Sequence, residues 1–225
     1  MIHRHALLRL AALAALLVAA NAQAHDSWIV DGPGALTMVT GSRYPLVDLT
    51  VPAESIVRQA CAKRTCWTQL RPFDIELEPR LVDVYFRDAH PSGDVQSRWQ
   101  ALHARGVAWR ERYRKFARIE RDPGAPSTRP AGMDLELLPA APAALRSGAQ
   151  ARFVLLSNGK PLAEQPVELV SDRSPLGVWS RTDAQGQVAW TLPFAARWLV
   201  RTIVIEPAEG DAWQSRFATL VFDAK

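Results

Sequence analysis

Two metal donors fall to one residue if the chain is trimmed after Ala24. The freed α-amine of His25 and its own ring Nδ1 can then close a chelate ring on a metal ion. Both must shed a proton to bind, and their ordinary pKa values (about 7.7–8.0 for the amine, about 6.5 for the imidazole) allow this near neutral pH. The first 24 residues read as a cleavable export signal: His3, Arg4, His5 and Arg9 form a basic start, Ala11–Ala20 an apolar stretch, and Ala22-Gln23-Ala24 a small-x-small cleavage site. The apolar stretch is shorter than the roughly 20 residues a spanning helix needs. The sequence therefore predicts an exported chain that begins His25-Asp26-Ser27-Trp28 and has no stable membrane insertion after cleavage. Ala20-Asn21-Ala22 is a second small-x-small site that would leave Gln23 first, and a cut after Ala20 is a third frame. In both, His25 is internal and the chelate is lost.

Composition narrows the classes. The precursor carries a formal charge of +4, and when Arg4 and Arg9 leave with the signal, 27 basic residues become 25 against 23 acidic. Charges this balanced and interspersed give no footprint for nucleic acid or an anionic membrane. The two cysteines, Cys61 and Cys66, are predicted to form a structural disulfide. Four residues separate them where a redox motif has two, and no second pair completes a zinc site. Eight tryptophans point to packing, with a carbohydrate platform as the sharper alternative. No Gly-x-Ser-x-Gly, His-Glu-x-x-His, phosphate-cradling glycine loop or Cys-x-x-Cys-His occurs, so the chain is not expected to be an enzyme.

The elements that must position these residues are mostly strands. In the C-terminal half, 134–138, 151–156, 165–170, 177–181, 187–192, 198–205 and 215–222 are short β-prone runs, separated by turn signals such as Asn158-Gly159 and Asp183-Ala184-Gln185-Gly186. This predicts an immunoglobulin-like β-sandwich over 133–225. The N-terminal unit, 25–90, reads as β-rich, with strands at 27–30, 36–39, 65–70, 74–77 and 82–87 and a short helix or turn at 55–62. Residues 91–121 form a charged connecting segment. Val95, Trp99 and Leu102 within 94–105 have helical spacing, whereas Tyr113, Lys115, Ala117 and Ile119 alternate as in a solvated strand. The basic residues of that second stretch also admit a nucleic-acid or calmodulin-like role. The Pro/Gly/Ser-rich stretch 122–132 is the expected linker.

Three patterns taken together resemble an uncharacterised family of bacterial periplasmic proteins: the His25-Asp26-x-Trp28 start, Glu111-Arg112-Tyr113-x-Lys115-x-Ala117-Arg118, and Asn158-Gly159-Lys160-Pro161-Leu162…Thr182-Asp183-Ala184-Gln185-Gly186…Trp198-Leu199-Val200. Some members are described as accessory components of nickel or cobalt uptake transporters. The C-terminal pattern alone is shared with many immunoglobulin-like and transthyretin-like modules, and the cysteine pair is not part of the family pattern. The resemblance implies a periplasmic location, metal handling without catalysis, and an inner-membrane metal-transport component as partner. It maps the family start onto His25, Asp26 and Trp28.

Copper(II) or nickel(II) favours nitrogen and oxygen donors in a square-planar or tetragonal arrangement. Beyond the two nitrogens of His25, the mature chain offers His90, in a loop before Pro91, and His103, on the expected helix; Asp26 adds a carboxylate or caps a turn. Each histidine can equally be solvated. In the chain that begins at His25, histidine at the third position is ruled out, since Ser27 stands there. The expectation is an exported protein that binds or delivers Cu(II) or Ni(II) through His25. The alternative is a non-catalytic envelope module that docks a protein or glycan through exposed aromatic edges.

Overall fold

A computed structural model describes residues 25–32 and 35–225; the export signal expected over 1–24 lies outside the described residues. The chain is mainly β. Strands β1 (Asp26–Gly32), β2 (Ala35–Gly41) and β3 (Leu49–Thr50) form a small antiparallel sheet. Next come β4 (Ile56–Ala62), β5 (Thr65–Leu70), β6 (Phe73–Leu77), helices α1 (Pro79–Ala89) and α2 (Gly93–Ala104), and the long strand β7 (Trp109–Glu120). Strands β8 (Leu135–Pro139), β9 (Gln150–Ser157), β10 (Lys160–Pro161), β11 (Pro166–Ser171), β12 (Ser174–Arg181), β13 (Gln187–Thr191), β14 (Ala196–Pro207) and β15 (Trp213–Ala224) complete the chain. The Asn158-Gly159 turn between β9 and β10 has positive φ at both residues, as its sequence predicts.

One eight-stranded sheet joins the two halves. Its order is β12-β11-β14-β15-β7-β5-β4, with β6 also on β7. The closing contact is parallel: β15 runs along β7 from Trp213↔Glu111 to Phe222↔Glu120. The boundary expected between 121 and 133 therefore separates strands that share a single sheet. The expected linker is pinned as well. Arg118 is fully buried and donates to the Glu120 and Glu136 carboxylates and to the carbonyls of Ser127 and Arg129. Glu136 in turn accepts the backbone N–H groups of Ala131 and Gly132.

Three expectations on local structure change. Residues 82–87 belong to helix α1, not a strand: Pro79 occupies its first turn, and Val82, Tyr85 and Ala89 share its buried face. Residues 56–62 are strand β4, paired with β5 up to the Cys61↔Cys66 disulfide. Strand β7 is not solvated, because it sits inside the sheet with layers on both faces.

Alternation along the strands sends successive side chains to opposite faces. On one face, Phe116, Leu169, Val200, Leu220 and Phe222 pack against the four-stranded sheet of β8, β9, β10 and β13 as a sandwich core. The other face has two covers. Helices α1 and α2 cover Tyr113, Ile203, Ile205 and Phe217, around a stack of Trp109 on Trp213 with ring centroids 4.6 Å apart. The β1–β2 hairpin covers Ala117, Ile119, Val170, Leu199 and Val221. Of the eight tryptophans, six are buried and Trp67 and Trp179 are half-buried, so their role is packing and no exposed tryptophan platform exists.

Candidate functional site

Between the two covers runs a seam, and polar residues fill it. On β14, Arg201 lies between Leu199, under the hairpin, and Ile203, under the helices. The register sets Trp179, Glu168, Arg201, Thr219 and Ala117 side by side across five strands. Strand β1 enters over this row. Thr219 Oγ1 donates to the Ser27 carbonyl at 2.7 Å, and Thr40 Oγ1 donates to the Asp26 carbonyl at 2.7 Å.

Arg201 is the hub. Its guanidinium donates to Glu168 Oε2 at 2.5 Å, to Asp26 Oδ2 at 2.9 Å and to Asp88 Oδ1 at 2.6 Å. One arginine thereby ties sheet, hairpin and helix α1 together. Arg43, in the loop after β2, adds a two-pronged contact to Glu168. Burial works against the Arg201 charge, but Asp26, Asp88 and Glu168 outweigh it and raise its pKa well above the usual arginine value. Burial likewise pushes the Asp26 carboxyl upward, against the pull of Arg201. Gly177 makes room for this arrangement: a Cβ there would stand 1.8 Å from Glu168 Oε1.

His25 lies at the hairpin end of the seam. Its carbonyl accepts a hydrogen bond from the buried Lys115 Nζ at 2.6 Å. Its Nδ1 is buried, lacks a hydrogen-bond partner, and stands 3.3 Å from Asp48 Oδ2. Asp48 is itself oriented, because the same oxygen accepts the Ser42 N–H at 2.7 Å. Burial lowers the His25 pKa, against the upward pull of Asp48. Burial also lowers the Lys115 pKa to about 8, with Asp26 and Glu111 pulling the other way.

The other expected donors are placed differently. The Asp26 carboxylate is fully buried and engaged by Arg201, so its chemistry is that of an ion pair rather than a free ligand. His90 caps α1 in the left-handed conformation, and its exposed ring packs on Trp179 at 4.0 Å. It borders the Arg201 cluster from the helix side. His103 is exposed on α2 and stacks on Trp99, which leans on Trp109 at the start of β7. Lys115, beneath His25, is six residues further along that strand, a span of roughly 20 Å. Among the described residues, no three His, Cys, Asp or Glu side chains converge into a ready metal cluster. Asp48 carries no sequence signal: it ends the plain loop Tyr44-Pro45-Leu46-Val47, and only folding brings it to His25.

A β-rich chain of two packed sheets, with a hairpin and two helices over the outer face, is the class the architecture defines. The model of a family described as "Domain of unknown function (DUF4198)" matches residues 77–206, more than half of the chain, and the chain belongs to that family. No curated protein and no solved structure matches. The matched segment contains Asp88, His90, Lys115, Glu168, Trp179 and Arg201; His25, Asp26, Asp48 and Thr219 come from the flanking segments.

Proposed function

We propose that the chain is an exported periplasmic protein that binds or delivers Cu(II) or Ni(II), and that it works with an inner-membrane metal-transport component. The observation that carries this is the buried His25 Nδ1, which makes no hydrogen bond and faces the Asp48 carboxylate at 3.3 Å, on a residue whose carbonyl Lys115 holds in place. A buried polar atom without a partner is costly and calls for an explanation. Signal cleavage after Ala24 adds an amine on the same residue. His25 amine, His25 Nδ1 and Asp48 carboxylate then make a nitrogen, nitrogen, oxygen donor set suited to tetragonal Cu(II) or Ni(II). Lys115, Thr40 and Thr219 fix the main chain of residues 25–27, so the donors are oriented before the ion arrives. The ion is cargo, and no reaction is assigned to it.

The test is calorimetric titration of copper and nickel into protein whose N-terminus has been fixed by mass spectrometry. His25→Ala, Asp48→Asn and protein acetylated at the His25 α-amine serve as comparisons. Protein with a free amine on His25 should bind at least tenfold tighter than the acetylated form, which keeps every side chain and loses only the amine donor. Equal affinity in both forms would refute the site. An N-terminus at Asn21 or Gln23 in the exported protein would do the same.

A further inference from the structure

A second site opens on the other side of Lys115. A cavity of about 280 Å³ lies between the small sheet, the segment before β4 and the edge of β7. Its walls are largely apolar, formed by Leu49, Val51, Leu70, Phe73 and Tyr113, with the last two rings stacked at 5.2 Å. Four buried polar residues, Ser27, Thr40, Ser55 and Lys115, interrupt them, and two of these have hydrogen-bonding capacity to spare. One is the Lys115 ammonium, which has the His25 carbonyl as a hydrogen-bond partner and no carboxylate within ion-pair distance among the described residues. Its Nζ also lies 5.4 Å from the Tyr113 ring centre and 5.3 Å from that of Phe217, and two of its three N–H donors have no hydrogen-bond acceptor. The other is Ser27 Oγ, 3% exposed in its residue and without a partner. At the rim, the Arg71 guanidinium lies 4.4 Å over the Phe73 ring, and Glu54 supplies the one acidic group of the lining.

A buried cation without an anion is expensive, and an anion that arrives with its own apolar surface offsets that cost while filling the cavity. We propose that this cavity binds a small monocarboxylate with a short apolar tail, its carboxylate accepting from Lys115 Nζ and Ser27 Oγ and its tail lying between Val51, Leu70 and Phe73. The volume sits just below the usual range for drug-sized ligands, which selects a small occupant. A neutral alcohol leaves the ammonium unpaired, an amine repels it, and acetate leaves the apolar walls bare. The inference does not rest on the metal reading, although Lys115 also holds the His25 carbonyl.

The probe is hexanoate, titrated calorimetrically into the full exported chain in the presence of a chelator, with hexanol, hexylamine and acetate as comparisons. Hexanoate should bind saturably, at least tenfold tighter than any comparison compound, and should raise the melting temperature. Lys115→Met should lower its affinity at least tenfold, Ser27→Ala by a few-fold, and Val51→Trp should abolish binding by filling the space. His25→Ala, which keeps the backbone carbonyl, should leave hexanoate affinity unchanged, so failure of the metal site and failure of this cavity are read separately. If Lys115→Met does not fold, Ser27→Ala and Val51→Trp still decide the matter. Hexanoate binding no tighter than hexanol, or undiminished binding in Val51→Trp, overturns the proposal.

Discussion

Replacing Arg118 by methionine tests whether the segment 122–132 is held by charge. Methionine keeps most of the aliphatic bulk and removes the guanidinium. The side chains of Arg118, Glu120 and Glu136 are all at most 1% exposed. Removing the cation strands two buried carboxylates and leaves the Ser127 and Arg129 carbonyls without their donor. Breaking a buried pair by deleting one partner costs about 3–5 kcal/mol. The lower part of that range is expected here, because Glu120 keeps Thr65 Oγ1 and the Ser127 N–H, and Glu136 keeps the Ala131 and Gly132 N–H groups. Urea unfolding at pH 7 reads the loss as a lower midpoint with little change in slope. Limited proteolysis should open a new site within 122–132. The triple variant Arg118→Met/Glu120→Gln/Glu136→Gln, which removes all three charges, should recover most of the loss. A single-variant cost below about 1 kcal/mol, or a triple variant no better than the single, would refute an electrostatic staple.

Other perturbations read other parts of the molecule. Glu111 accepts from Tyr85, Trp109 and Ser215, and its burial raises its pKa above the ordinary 4.5. The folded state therefore holds a proton that the unfolded chain has released, so stability falls as pH rises above about 4.5. Glu111→Gln should flatten that limb in melts taken between pH 4 and 7, and parallel curves would contradict the assignment. Gly177→Ala must push Glu168 away from Arg201 and Arg43; a loss of about 2–4 kcal/mol should lower Tm by roughly 5–10 °C, and a drop under about 2 °C would show that the carboxylate has room to move. Opening the Cys61–Cys66 loop by a double serine substitution should cost about 2 kcal/mol or less, since so short a loop removes little unfolded-state entropy; a larger loss in thermal melts would point to a further role for the disulfide.

Local signals in the sequence carried the strands of the C-terminal half, because their alternation and turn residues are short-range. They carried α2 as well, through Val95, Trp99 and Leu102. At α1 they misled: Leu81-Val82-Asp83-Val84-Tyr85-Phe86 is β-prone in composition, and the stronger clue was Pro79 followed by apolar residues at spacings of three and four. The β7–β15 pairing left no local trace, since a parallel contact between strands about a hundred residues apart depends on everything folded between them. The candidate site was legible only in part. His25 stood out through the expected cleavage and Cys61–Cys66 through their spacing. Lys115 and Arg201 share a strand face with apolar residues, Tyr113 and Ala117 or Leu199 and Ile203, and with Asp26 and Glu168 they lie buried under a second layer, a placement their polar type does not announce. Asp48 meets His25 across a loop closure that no motif encodes.

The partnership of β15 with β7 and β14 has a consequence for order in time. Asp26 and Ser27, near the start of the chain, are seated by Arg201 and Thr219, which are among the residues synthesised last. Until strands β14 and β15 are in place, the Asp26 carboxylate lacks Arg201 and the Ser27 carbonyl lacks Thr219. Seating of residues 25 to 27 thus waits on closure of the sheet.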